Sequence, residues 1–106
     1  MKLSVNNGEK VYTADTADIS FGIMEDVADA IDLDKLSEGT DTEIMSAALK
    51  FIVNSMDVVK RMLKEVFSGI TDEEIRTAKM SEICAVFFDI GKYTIAELTR
   101  HIKEKN

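Results

Sequence analysis

The side chains that most often carry chemistry in proteins are few in this 106-residue sequence. Cys84 and His101 are its single cysteine and single histidine, too few to assemble a zinc site from the usual ligands. A nucleophilic cysteine needs exposure and a basic partner, whereas Cys84 follows Ile83 within an apolar helical stripe. We therefore expect Cys84 to be a core thiol, and His101, which follows Arg100, to be a cation near a helix end.

The carboxylates form clusters that could bind a metal ion or act as general acid and base. The clearest cluster, Asp72 to Glu74, lacks the alternating oxygen ligands and the internal glycine of a calcium loop. Each cluster falls on a predicted polar helix face or helix cap, where solvent is expected to keep a carboxyl pKa ordinary. No glycine-rich phosphate loop is present. The sequence predicts a protein that is not an enzyme and has no metal site and no cofactor.

Length and charge narrow the class of protein further. The chain fits one domain, 1–106, and its 45% apolar residues can form a core. Thirteen basic and twenty acidic residues give a net charge of -7, which argues against a nucleic-acid partner. No apolar run approaches the length of a membrane span, and no secretory leader is recognisable. We expect a cytoplasmic protein without a membrane partner.

The elements begin with a β-hairpin over residues 2–13, in which Asn6, Asn7 and Gly8 tolerate the positive φ of a tight turn. A helix over 18–33 follows, because Ile19, Ile23, Val27 and Ile31 recur every four residues. The other face of that helix is acidic and carries Glu25, Asp26, Asp29 and Asp32. Residues 35–39 are expected to form a loop.

A second helix is predicted over 41–68, where Thr40 and Glu43 have the spacing of a capping box. Two neighbouring apolar lines run its full length, so it should pack on two sides. One line contains Ile44, Ala48, Phe51, Ser55, Val58, Met62 and Val66, and the other contains Met45, Leu49, Ile52, Met56, Val59, Leu63 and Phe67. At about 1.5 Å per residue it would be roughly 42 Å long, more than a small domain hides comfortably. This helix is therefore expected either to bend or to meet a partner.

The stretch VFSGITDEEI, residues 66–75, is predicted to be the corner that ends this helix. Gly69 is a candidate left-handed C-cap, and Ile70 is expected in the core. Thr71 and Glu74 repeat the capping box and start a short helix over 72–77. A last helix over 80–104 contains Gly91, which predicts a kink or a close helix crossing. The fold class is mainly α, a small bundle of about four helices with an N-terminal β-hairpin.

Six methionines lie mostly on the apolar stripes, where soft side chains suit either a core or a surface that receives a partner helix. An apolar patch would serve self-association equally well. Five residues on the long helix and the last helix are the predicted partner-binding residues, and a plain core role is the alternative for each. They are Met56, Val59, Leu63, Phe67 and Phe88.

Two resemblances follow from these patterns. The phrase FSGITDEEI is similar to one found in acyl carrier proteins, but the Asp-Ser-Leu motif that holds their prosthetic group is absent, with Ser37 in Leu-Ser-Glu and Ser46 in Met-Ser-Ala. A carrier function is therefore disfavoured. The order of elements, together with EVFSGITDEEI and MSEICAVFFDIGKYTIAEL, resembles the tail assembly chaperones of long-tailed phages, especially those of Gram-positive hosts.

This second resemblance covers nearly the whole chain and implies a nonenzymatic helical protein. Such a chaperone binds the tape measure protein, keeps its long helices soluble and helps tail tube subunits polymerise around it. It acts in the host cytoplasm and is absent from the mature virion. The alternative is an acidic regulatory binding protein, antitoxin-like or DNA-mimicking, that would use the acidic face from Glu25 to Asp32.

Overall fold

The computed structural model describes residues 1–30 and 39–105, without the side chains of residues 30, 95, 98 and 101–105. Its described part contains a two-stranded sheet and five α-helices joined by short connections. The strands are β1 (Lys2–Val5) and β2 (Lys10–Thr13), and the helices are α1 (Phe21–Ala30), α2 (Asp41–Asn54), α3 (Met56–Val66), α4 (Asp72–Thr77) and α5 (Met80–Lys105). The predicted fold class, mainly α with an N-terminal hairpin, is confirmed.

The hairpin has the strands and the turn that the sequence predicts. β1 and β2 are antiparallel, with Lys2 opposite Thr13 and Val5 opposite Lys10. Asn6, Asn7 and Gly8 all have positive φ, at 53°, 57° and 88°. These are residues that accept a left-handed backbone at low steric cost, so the turn sits where the sequence allows it.

An isolated hairpin is marginally stable in water, and here it packs on α4 and α5. Leu3 and Val5 point into the core and are completely buried. The amide of Asn6 donates a hydrogen bond of 2.6 Å to the Thr77 hydroxyl at the end of α4. The hairpin is thus fixed to the helices by apolar burial on one face and by a polar contact at its turn.

The long helix predicted over 41–68 is two helices, because the chain leaves helical geometry at Ser55. Ser55 has φ -134° and ψ 47°, and it separates α2 from α3. The two pieces pack on different neighbours, α2 on α5 and α3 on α1. A straight helix would present one continuous stripe to one neighbour, whereas the break allows each half to bury its own face. Of the two expected alternatives for this segment, the break is the one the structure shows.

Threonine residues cap the N-termini of α2 and α4. Thr71 and Glu74 form both bonds of the capping box. At Thr40 the described residues show one of the two bonds, in which the hydroxyl accepts from the Glu43 amide at 3.3 Å. The predicted bounds of α4 are confirmed. The helix predicted over 18–33 begins later, at Phe21, where the Ser20 hydroxyl accepts from the Ile23 amide at 3.4 Å, and it is described only as far as Ala30. The loop expected over 35–39 lies outside the described residues except for its last residue.

Gly69 has a different role from the one predicted. α3 ends at Val66 and is capped by Phe67, so Gly69 lies beyond the helix end. Its φ of 89° places it third in a four-residue turn that the Ile70 amide closes on the Phe67 carbonyl at 3.2 Å. That position of a turn favours glycine. The turn directs Ile70 into the core, where it is buried as expected.

The close helix crossing expected at Gly91 is not present among the described residues, and the expected kink stays a prediction. α5 is continuous from Met80 to Lys105, and Gly91 is exposed within it. No atom lies within 4 Å of the position that a Cβ would occupy at Gly91. No close helix crossing therefore requires this glycine.

Among the described helices, none has the length and apolar character needed to cross a membrane.

Candidate functional site

The described residues that could carry chemistry are not brought together. Cys84 is a free, buried thiol, and burial raises its pKa, which disfavours the reactive thiolate. The side chain of His101 lies outside the described part of the structure. Within the described residues, no cluster of histidine, cysteine and carboxylate side chains could hold a metal ion. The candidate site is therefore sought among surfaces rather than among reactive groups.

The corner at residues 66–75 is a meeting point of the hairpin, α3 and α4. The Tyr12 hydroxyl donates to Glu74 Oε1 at 2.7 Å, and Lys10 Nζ lies 3.1 Å from Glu74 Oε2. The amide of Thr71 donates to the same Oε1 at 3.1 Å. The Tyr12 ring packs against Phe67, with centroids 6.3 Å apart. Both oxygens of the Glu74 carboxylate have partners within the molecule, so this cluster is structural.

The pKa of Glu74 departs from the ordinary carboxyl pKa that the sequence predicts for a helix cap. The hydrogen bond from Tyr12 is the largest cause that lowers the pKa of Glu74 from 4.5 to about 2. Lys10 and the Thr71 amide act in the same direction, while desolvation opposes them. A second pair, Lys64 with Asp72 at 2.6 Å, lowers the pKa of Asp72 and ties α3 to α4.

The five predicted partner-binding residues divide between core and surface. Val59, Leu63 and Phe67 are 5%, 2% and 1% exposed, so they are core residues in this fold. At these three positions the structure shows the core role that was the alternative for each residue. Met56 is 53% exposed, and Phe88 is half-buried. Partner binding by Met56 and Phe88 stays a prediction.

A more extensive apolar surface lies on α2. Met45, Leu49 and Val53 recur every four residues and are 45%, 44% and 49% exposed. Met56 extends the row at the first residue of α3. We call these four residues the α2 stripe. Met45 and Leu49 belong to one of the apolar lines visible in the sequence, but periodicity alone did not indicate which line faces solvent, because that depends on the break.

A small apolar pocket adjoins the end of the stripe where α2, α3, α4 and α5 meet. We call it the α3–α5 pocket, and its cavity is about 250 Å³. Its apolar lining consists of Ile52, Met56, Val59, Ile75, Ala78, Met80 and Ile83. Lys60 and Arg76 are the charged residues of its lining. Met56 and Met80 are exposed at its rim, which gives the opening two adaptable side chains.

The acidic face of α1 forms a different kind of surface. Asp26 is paired with Arg61 of α3, with Oδ2 and Nη2 2.8 Å apart. Glu65 Oε2 accepts a hydrogen bond from the Ser20 amide at 2.9 Å. Glu25 and Asp29 line the same open cleft beside Arg61 and are exposed. Part of the acidity noted in the sequence is therefore balanced by basic groups of α3.

Comparisons with known proteins were made on the sequence and on this geometry. No protein-family model, no curated protein and no solved structure matches the chain.

Proposed function

We propose that this protein is a tail assembly chaperone of a long-tailed phage or prophage of a Gram-positive host. In this role it binds the tape measure protein, keeps its long helices soluble and promotes polymerisation of tail tube subunits around it. It would act in the host cytoplasm and would be absent from the mature virion. The observation that carries the proposal is the α2 stripe, a row of large apolar side chains left in solvent.

The stripe suits a helical partner. Its spacing of four residues along α2 matches the spacing with which one helix presents anchors to another. Two of its four members are methionines, which adapt to partners of varied shape. Single exposed apolar residues are ordinary on protein surfaces, but a contiguous row marks an interaction site. A chaperone for long apolar helices requires a surface of this kind.

The same stripe would also permit self-association, since an apolar row can pair with a second copy of itself. Partner binding and self-association would then compete for one surface. The resemblance also implies the tail tube subunit as a second partner.

The regulatory alternative depends on the acidic face of α1. In the structure Asp26 is engaged by Arg61, and the exposed acids of that cleft are Glu25, Asp29 and Glu65. Asp32 lies outside the described residues. A mimic of DNA needs an uncompensated series of negative charges. The cleft instead mixes both signs, which favours the chaperone proposal over this alternative.

The proposal is tested by expressing this protein together with its cognate tape measure protein, which would be encoded by a very long reading frame beside its own. We expect the tape measure protein to move from the insoluble to the soluble fraction and to co-purify with this chain. Charge reversal at Asp26 and Asp29 should leave that result unchanged. If the tape measure protein stays insoluble, the regulatory alternative is favoured instead. The same alternative is favoured if the tape measure protein loses its solubility only with the charge-reversal variant.

A further inference from the structure

The α3–α5 pocket has a chemistry that distinguishes it from the α2 stripe. Ile52, Val59, Ile75 and Ile83 form a floor of buried apolar side chains. The cavity of about 250 Å³ is larger than the roughly 150 Å³ that admits a benzene ring. It is smaller than the roughly 300 to 1,000 Å³ typical of small-molecule sites. Its size therefore fits one large aliphatic or aromatic side chain better than a cofactor.

The charge around this pocket has the opposite sign to the charge of the protein. The chain carries a net charge of -7, yet the charged residues of the pocket lining, Lys60 and Arg76, are both cationic. Among the described residues neither of them forms an ion pair, whereas Lys10, Arg61, Lys64 and Arg100 do. Lys60 lies close enough to Asp72 to help lower the pKa of that carboxyl, but neither cation is held in an ion pair with a described residue. Two such cations beside an apolar cavity are complementary to carboxylates on an incoming segment.

We propose that the α3–α5 pocket binds a protein segment in which one large apolar side chain is flanked by acidic residues. The apolar side chain enters between Met56 and Met80 and fills the cavity. Its flanking carboxylates pair with Lys60 and Arg76. A buried anchor of this type supplies most of the affinity of a peptide, and the rim charges supply selectivity. The inference rests on the proposed function only in taking the occupant to be a protein helix.

The experiment uses the full chain and three fluorescent helical peptides of about 15 residues, a length at which a peptide helix becomes marginally stable. The first has a central leucine with glutamates three and four residues to either side. The second has lysines in place of the glutamates, and the third has alanine in place of the leucine. Binding is measured by fluorescence anisotropy at low and at high ionic strength.

We expect the acidic leucine peptide to bind at least about tenfold more tightly than the lysine peptide, and the alanine peptide to bind weakly. The advantage of the acidic peptide should shrink at high salt. The double variant Lys60→Glu with Arg76→Glu should prefer the lysine peptide. This reversal is a gain of binding, which an unfolded variant could not show. The control Lys50→Glu with Lys92→Glu has the same net charge and should keep the wild-type preference.

Equal binding of the acidic and lysine peptides, no binding of any peptide, or an unchanged preference in the double variant would each overturn the inference. Failure here differs from failure of the chaperone proposal. If the peptides fail while the tape measure protein is still solubilised, the pocket assignment is lost and the chaperone proposal stands. If the peptides behave as expected while the tape measure protein stays insoluble, the pocket assignment stands and the chaperone proposal is lost.

Discussion

Glu74 joins β2 to the start of α4 through one carboxylate. It receives hydrogen bonds from Tyr12 in β2 and from Thr71 at the start of its own helix, and it pairs with Lys10. The sequence predicted the local part of this arrangement, since the spacing of Thr71 and Glu74 indicates a capping box. It could not predict the contacts with β2, because they join residues about sixty positions apart and depend on where the hairpin docks.

The pKa of Glu74 leads to a prediction about acid stability. Its folded pKa of about 2 lies below its ordinary value of 4.5, so the carboxylate stabilises the fold above 4.5. That contribution is lost as pH falls through the interval between the two values. We expect Glu74→Gln to lower the melting temperature near neutral pH, with the difference from wild type shrinking toward about pH 2. Thermal unfolding followed by circular dichroism across this pH range measures it.

The matched control is Glu73→Gln, which removes the same charge from an exposed neighbour outside the network. It should change the melting temperature much less. A Glu74→Gln variant whose destabilisation is constant between about pH 6 and about pH 2 would show that the carboxylate network does not operate as described.

At the scale of elements, periodicity, turn residues and caps predict the hairpin and α4. They also predict the approximate extent of the other described helices. The break at Ser55 does not, because neither glycine nor proline is present there and Ser55 makes no side-chain cap. The break results from tertiary packing, in which α2 and α3 meet different neighbours. The break also determines which apolar side chains of α2 and α3 remain exposed. The same apolar line is exposed at Met45 and Leu49 and buried at Leu63 and Phe67.

This division predicts opposite outcomes for two residues that the sequence placed in one partner-binding group. Phe67→Ala should destabilise the fold by about 3 to 5 kcal/mol, because it removes a buried aromatic side chain. Met56→Ala should cost less than about 1 kcal/mol, since its side chain is half in solvent. Denaturant unfolding measures both. Similar losses for the two variants would contradict the placement of Phe67 in the core and Met56 at the surface.

Gly91 gives a second prediction at this scale. It lies in the interior of α5, is exposed, and has open space where a Cβ would project. Gly91→Ala should therefore stabilise the protein by about 1 kcal/mol through helix propensity. Gly69→Ala is the contrasting variant and should destabilise, because its φ of 89° is strained for alanine. Urea unfolding of the two variants should give shifts of opposite sign, and a loss of stability in Gly91→Ala would indicate a packing role for this glycine.

At the scale of the whole molecule, the hairpin closes one side of the helical core and leaves the α2 stripe uncovered within the described residues. The extents of 45 × 29 × 23 Å show an elongated body, which offers a long side to a partner. The proposed partner is the one implied by the resemblance to tail assembly chaperones, and the α2 stripe is a surface that suits it. The sequence predicted that the segment 41–68 would bend or meet a partner, but only the three-dimensional arrangement shows which of its apolar side chains stay exposed.

The central claim is that the α2 stripe keeps the tape measure protein soluble. Its most direct test is the soluble fraction of the tape measure protein when it is expressed with the wild-type chain, with Leu49→Ser and Val53→Ser combined, or with the control Lys50→Ser on the same helix. Both variants change exposed positions and should fold normally. We expect wild type and the control to solubilise the tape measure protein and the stripe variant to fail. Equal solubilisation by all three chains would contradict the claim.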